Sequence, residues 1–264
     1  MEDIHLWEKA PYLSDDVKNT NFSPYIRTFF IKDAKACVLI CPGGGYEFLS
    51  DILEGKEIAE WLNSKKISAA VLYYRVKPYA HPHALIDAKR AMRLLRHNAE
   101  TFGFPKNKIG IMGFSAGGHV AGCVSTHFEE EKNPADNIDI EDSRPDFQIL
   151  CYPVITTDMT YAHQNSILLL LGKDFENEEI AEYYSVEKQV SNDTPPAFIW
   201  HTAEDDCVPV QNSLEYAKRL AEHRIPTELH IYPFGKHGIA LKNVPHTEKW
   251  SKDLESWLND IILK

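Results

Sequence analysis

The sequence predicts an α/β fold: a mostly parallel central sheet with helices on both faces and one small insertion. Three observations carry this. Apolar runs of strand length recur at 36–41, 69–74, 109–112, 147–152 and 197–200, as in strands buried on both faces. Between them, apolar residues recur at helical spacing, as in Leu85, Ala88, Met92 and Leu95. Strand and helix alternate, so crossovers rather than hairpins join the strands. With 264 residues, 44% of them apolar, the chain can bury a sizeable core, and 1–264 reads as a single domain.

In chain order, 1–27 reads as a polar, proline-punctuated surface arm anchored by Leu6 and Trp7, and 28–31 as a short edge strand. The strand 36–41 runs into Pro42-Gly43-Gly44-Gly45-Tyr46. Glycines in that place signal close backbone approach or positive φ. The loop suits part of an oxyanion hole, a plain turn or a phosphate cradle, but no Gly-x-Gly-x-x-Gly or Gly-Lys-Ser/Thr pattern supports phosphate. A helix follows at 54–65, with Ile58, Trp61 and Leu62 on one side. The loop 75–83 holds His81-Pro82-His83, which lacks further metal ligands at useful spacing and reads as solvated or cleft-lining. The next helix runs to 102, with Lys89, Arg90, Arg93 and Arg96 as a solvated face, and 129–144 is an acidic surface loop. From 154 to 190 the alternation lapses. This stretch, with a helix at 176–184, reads as an insertion over the site, because loops at strand C-termini surround the cleft. A helix through Leu214, Ala217, Leu220 and Ala221 follows, then a strand at 228–232 and a last helix through Trp250, Leu254, Trp257, Leu258 and Ile261.

The chemistry centres on Gly113-Phe114-Ser115-Ala116-Gly117, between an apolar strand and a small-residue helix. A nucleophile on a sharp strand-to-helix turn needs a strained backbone and neighbours without side chains. The turn exposes the Ser115 hydroxyl and sets the Ala116 N–H where it can donate to a developing oxyanion. Serine needs a base within hydrogen-bond reach. Of 12 histidines, His237 in Gly235-Lys236-His237-Gly238 suits best, in a loop directly after a strand and so at the same sheet edge as Ser115. His119 lies on the helix after the turn and reads as a packed or cleft-wall residue. A carboxylate must hold the imidazole tautomer. Glu204, Asp205 and Asp206 follow the 197–200 strand, and the residues alone leave the three open. The order nucleophile, acid, base is that of an α/β-hydrolase.

Five stretches make the likeness specific: Cys41-Pro42-Gly43-Gly44-Gly45-Tyr46, Tyr74-Arg75-Val76, Gly113 to His119, Pro195-Pro196-Ala197-Phe198 with His201-Thr202-Ala203, and Gly235-Lys236-His237-Gly238. From Leu6 onward the chain resembles the small α/β-hydrolase esterases that include acetyl esterases, acetylxylan esterases and xylanase-associated esterases. In the wider fold the acid stands three residues before a Val-Pro pair, so Val208-Pro209 implies Asp205, with Asp206 second. The resemblance also implies that Gly44 and Gly45 join Ala116 in the oxyanion hole, although Pro42 stands where relatives carry histidine. It implies short acyl groups, acetyl on sugars or xylo-oligosaccharides above all, and permits a homodimer. A prolyl-oligopeptidase-like peptidase, an acyltransferase and a non-catalytic binding protein share the fold.

A net charge of −11 disfavours nucleic acid or an anionic membrane as partner, leaving a small-molecule ester. No cofactor or metal is implied. The acidic first residues and five cysteines, an odd number, fit free thiols and a cytoplasmic location.

Overall fold

In the computed structural model, residues 1–8, 10–11, 22–130 and 134–264 are described. Eight strands form one sheet: β1 (Asp3–His5), β2 (Tyr25–Phe29), β3 (Cys37–Cys41), β4 (Ser68–Tyr73), β5 (Ile109–Phe114), β6 (Gln148–Cys151), β7 (Ala197–Thr202) and β8 (Thr227–Tyr232), in the order β1-β2-β4-β3-β5-β6-β7-β8. The six from β4 to β8 in that order run parallel, and β1 and β2 are antiparallel additions at one end. Every residue of β3 and β5 is buried, as their unbroken apolar runs require.

The strand period divides the core. Cys37, Leu39 and Cys41 of β3 join one cluster, and Val38 and Ile40 join the other. The first is covered by α2 (His83–His97), α4 (Ala116–Thr126) and α7 (Gln211–Glu222), the second by α1 (Glu57–Ser64) and α8 (Trp250–Trp257). Short helices α3 (Ala99–Phe102), α5 (Gln164–Leu171) and α6 (Glu178–Tyr183) complete the set. The long helix expected to 102 thus breaks at Asn98, and α3 ends on Gly103 in the left-handed region.

Two further expectations change. The first 27 residues are not all arm: Asp3–His5 and Tyr25–Phe29 are paired strands, and β1 rather than β2 is the edge. In β2, buried Ile26 and Thr28 alternate with half-buried Tyr25, Arg27 and Phe29; Leu6 is buried as expected, and residues 9 and 12–21 lie outside the described residues. The arginine face of α2 is also not solvated. Arg90, Arg93 and Arg96 are buried. Arg90 bonds Asp136 and Asp139, Arg93 the Glu141 carbonyl, and Arg96 the Asp142 and Arg144 carbonyls. The acidic loop is thereby strapped to α2, and burial of each guanidinium is compensated by carboxylates or carbonyls.

Among the described residues no helix is long and apolar enough to cross a membrane. Cys37, Cys41, Cys123 and Cys151 are free and buried, and Cys207 is free and exposed.

Candidate active site

β5 turns into α4 at Ser115, whose φ of 53° and ψ of −122° are rarely adopted by a residue with a side chain. The turn is held because Ser115 N–H donates to the Cys151 carbonyl at 3.1 Å, while the Ser115 carbonyl accepts from His119 and Val154 N–H. The flanking glycines are required by space: a Cβ on Gly113 would stand 2.1 Å from the Gly117 oxygen, and one on Gly117 2.1 Å from the Cys41 oxygen.

The loops after β7 and β8 bring Asp205 and His237 to the same edge. His237 Nε2 lies 2.7 Å from Ser115 Oγ, and His237 Nδ1 lies 2.7 Å from Asp205 Oδ2. Asp205 Oδ1 accepts from the Cys207 and Val208 N–H groups, which fixes the carboxylate plane. His201 Nε2 lies 3.2 Å from Asp205 Oδ2 and 3.0 Å from the Val208 carbonyl, and its Nδ1 pairs with Ser213 Oγ. Burial acts to raise the Asp205 pKa, but bonds from His201, His237 and Val208 outweigh it and hold the carboxyl well below its ordinary range. Asp206 instead is exposed and bonds Lys236, while Glu204 accepts from Gly235 N–H. Of the three adjacent carboxylates, Asp205 is the one facing His237.

His119 is fully buried: its Nε2 meets the Tyr184 carbonyl at 2.8 Å, and its Nδ1 meets the Tyr46 hydroxyl at 2.7 Å. A carbonyl only accepts, so Nε2 carries the hydrogen and Nδ1 accepts from Tyr46. Burial pushes its pKa down to about 4, which keeps the ring neutral. His81 pairs with Asp174, and His83 Nδ1 with the Ala80 carbonyl.

The Gly43–Gly45 loop passes over Ser115. Gly44 and Gly45 have φ of 128° and 66°, and among the described residues their N–H groups meet no acceptor. Ala116, as the first residue of α4, has no intrahelical acceptor either. These three N–H groups are therefore free of protein acceptors.

Sequence reasoning missed what holds this loop. Glu54 is 4% exposed. Its Oε2 accepts from Gly43 N–H at 2.9 Å, and its Oε1 from the Tyr152 hydroxyl at 2.7 Å. Burial raises its pKa, and the Tyr152 and Gly43 donors pull it back. The Tyr152 ring stands edge-on to His237 at 5.0 Å. The Tyr74 hydroxyl donates to the Pro42 carbonyl at 2.7 Å. No local signal singles out Glu54: it stands at the start of the helix expected over 54–65, where a carboxylate is ordinary.

Residues 31–220 match the BD-FAE family model. The chain is 38% identical over 254 residues to endo-1,4-beta-xylanase B of Butyrivibrio fibrisolvens, covering 94% of this chain and 39% of that protein. It is 34% identical over 224 residues to an acetylxylan esterase of Xylanibacter ruminicola, covering 83% of this chain and 44% of that one. The chain thus spans well under half the length of these two relatives. Among solved structures, an acetyl ester-xyloside bifunctional hydrolase from Caldicellulosiruptor lactoaceticus superposes with a TM-score of 0.92 at 40% identity, covering 98% of this chain and 96% of that one. The fold is that of an α/β-hydrolase, and the chain belongs to the BD-FAE family.

Proposed function

We propose that this chain is a serine esterase that removes short acyl groups, acetyl first, from sugars or xylo-oligosaccharides. The observation that carries the reading is the chain of 2.7 Å contacts from Ser115 through His237 to Asp205. Ser115 Oγ attacks the ester carbonyl carbon while His237 Nε2 takes its proton. The carbonyl oxygen becomes an oxyanion held by the Gly44, Gly45 and Ala116 N–H groups, each contributing roughly 10²–10³ in rate. Asp205 holds the imidazole and stabilises the imidazolium. The C–O bond to the alcohol then breaks, and His237 returns the proton to the leaving oxygen. Water adds to the acyl-enzyme, giving its proton to His237. Collapse frees the acid and restores the Ser115 hydroxyl.

Similarity to the acetylxylan esterase and the acetyl ester-xyloside hydrolase supports the sugar ester as substrate. The net charge of −11 favours a neutral ester over a polyanion. The free thiols support a cytoplasmic location. Residues 154–190 serve in this reading as a cover over the acyl-transfer site, since His163 and Ser166 lie beside Gly45.

The test is hydrolysis of p-nitrophenyl acetate, butyrate and octanoate by wild type and Ser115→Ala. Turnover that falls with acyl length and is lost in the variant is the expected result. Equal rates in both proteins overturn the reading.

A further inference from the structure

The loop that carries Gly44 and Gly45 has two unlike flanks. In the direction of a Gly44 Cβ lies Phe48, its carbonyl at 2.1 Å and its ring at 3.2 Å, and that side chain is 61% exposed. In the direction of a Gly45 Cβ lie Ser166 Oγ at 3.7 Å, Asn165 Nδ2 at 4.0 Å and His163 Cε1 at 4.0 Å. One flank is apolar and the other is a cluster of three hydrogen-bonding side chains.

The polar cluster can be assigned to one half of the ester. The leaving oxygen must lie next to His237 Nε2, which returns its proton. His163 reaches the turn that holds Asp205, the acid paired with His237. Its Nε2 is 3.5 Å from Cys207 Sγ, and the Cys207 N–H donates to Asp205. Burial lowers the His163 pKa, the charge of His237 lowers it further, and the charge of Asp205 raises it. His163 therefore lies between Gly45 and the turn that carries Asp205. A neutral His163 also adds no repulsion to the transient His237 imidazolium.

We propose that Asn165, with His163 beside it, forms the alcohol-side subsite and binds the hydroxyl groups of a pyranose ring that carries the ester, while the fully buried Ser166 holds His163. This rests on the esterase reading above. His163 Nδ1 and Ser166 Oγ pair at 2.7 Å, which fixes both side chains. Asn165 is exposed and offers a donor and an acceptor side by side, matched to a vicinal pair of hydroxyls. A plain alkyl or aryl alcohol offers the Asn165 amide nothing to pair with, whereas a sugar does.

The experiment compares wild type and Asn165→Ala on acetylated xylobiose and p-nitrophenyl acetate, with p-nitrophenyl butyrate as a third substrate. Asn165 is at the surface, so the fold tolerates the change, and ratios within one protein cancel differences in folded fraction. The ratio of kcat/KM for acetylated xylobiose to that for p-nitrophenyl acetate falls about tenfold, the loss of one to two hydrogen bonds. An unchanged ratio overturns the subsite. So does a change confined to the acetate-to-butyrate ratio, which places Asn165 on the acyl side. Wild type that cleaves p-nitrophenyl acetate but releases no acetate from acetylated xylobiose overturns the sugar-ester reading itself, and the subsite with it.

Discussion

Removing the Glu54 carboxylate tests whether the proposed oxyanion donors depend on support from below. Its two oxygens accept from Gly43 N–H and the Tyr152 hydroxyl inside the protein. Glu54→Ala deletes both acceptors, leaving two buried donors unpaired, at about 1–3 kcal/mol each. Gly43 then loses the bond that turns the loop, and the Gly44 and Gly45 N–H groups drift from the oxyanion position. Loss of one such donor costs about 10²–10³ in kcat, and a misplacement of about 1 Å costs about 10². The expected result is a kcat for p-nitrophenyl acetate lower by about 10²-fold, with KM within about threefold, because the oxyanion exists only in the transition state. Glu54→Gln keeps one acceptor and pairs a donor with a donor at the other, so it falls between. Urea unfolding of each variant fixes the folded fraction at the assay temperature. A Glu54→Ala protein that is less stable yet turns over within about threefold of wild type would refute the positioning argument. A rise in KM at constant kcat would refute it too.

Three further expectations follow from the same contacts. Asp205→Asn lowers kcat by about 10⁴-fold through the wrong imidazole tautomer, while Asp206→Asn, exposed beside Lys236, stays within about threefold; the reverse pattern assigns the acid to Asp206. His119 is neutral when folded, with a pKa near 4, whereas in the unfolded chain it binds a proton below about 6.5. The unfolded state thus holds more protons between those values, so stability falls as pH falls. From pH 7 to pH 5 this amounts to about 2 kcal/mol. Urea unfolding of wild type and His119→Gln at both pH values measures it, and equal pH dependence in the two proteins excludes His119 as the source. Arg75 and Asp87 form a fully buried pair at 2.5 Å. Arg75→Ala strands the carboxylate and lowers stability by about 3–5 kcal/mol in the same assay; a loss under about 1 kcal/mol means the carboxylate is not held as an ion.

What the sequence revealed and what it hid follow one physical division. β3, β5 and β7 were legible because strands buried on both faces must be apolar throughout, and no partner identity is needed to read that. The Ser115 turn was legible because its backbone leaves room for hydrogen alone at Gly113 and Gly117, a local constraint written into adjacent letters. His237 could be found from its place after a strand. The acid could not be separated from its neighbours by residue type: Asp205 and Asp206 are chemically equal, and only the turn decides that one faces His237 and the other Lys236.

The features that stayed hidden are charges whose burial depends on a distant partner. Arg90 reads as a surface residue until Asp136, 46 residues on, closes over it. Arg27 in β2 masks a strand because its partner, Asp3, lies 24 residues back. Glu54 looks like a helix-start carboxylate, yet its hydroxyl partner Tyr152 is 98 residues away. An isolated charge costs too much to bury, so charged residues read as exposed. That inference holds until the tertiary fold supplies the counter-donor, and in this chain it does so beneath the Gly43–Gly45 loop. The proposed reacting groups are thus written in local sequence, while the groups that hold them in position are written only in the contact between distant segments, which is why a search for further positioning residues in this fold starts from buried carboxylates rather than from motifs.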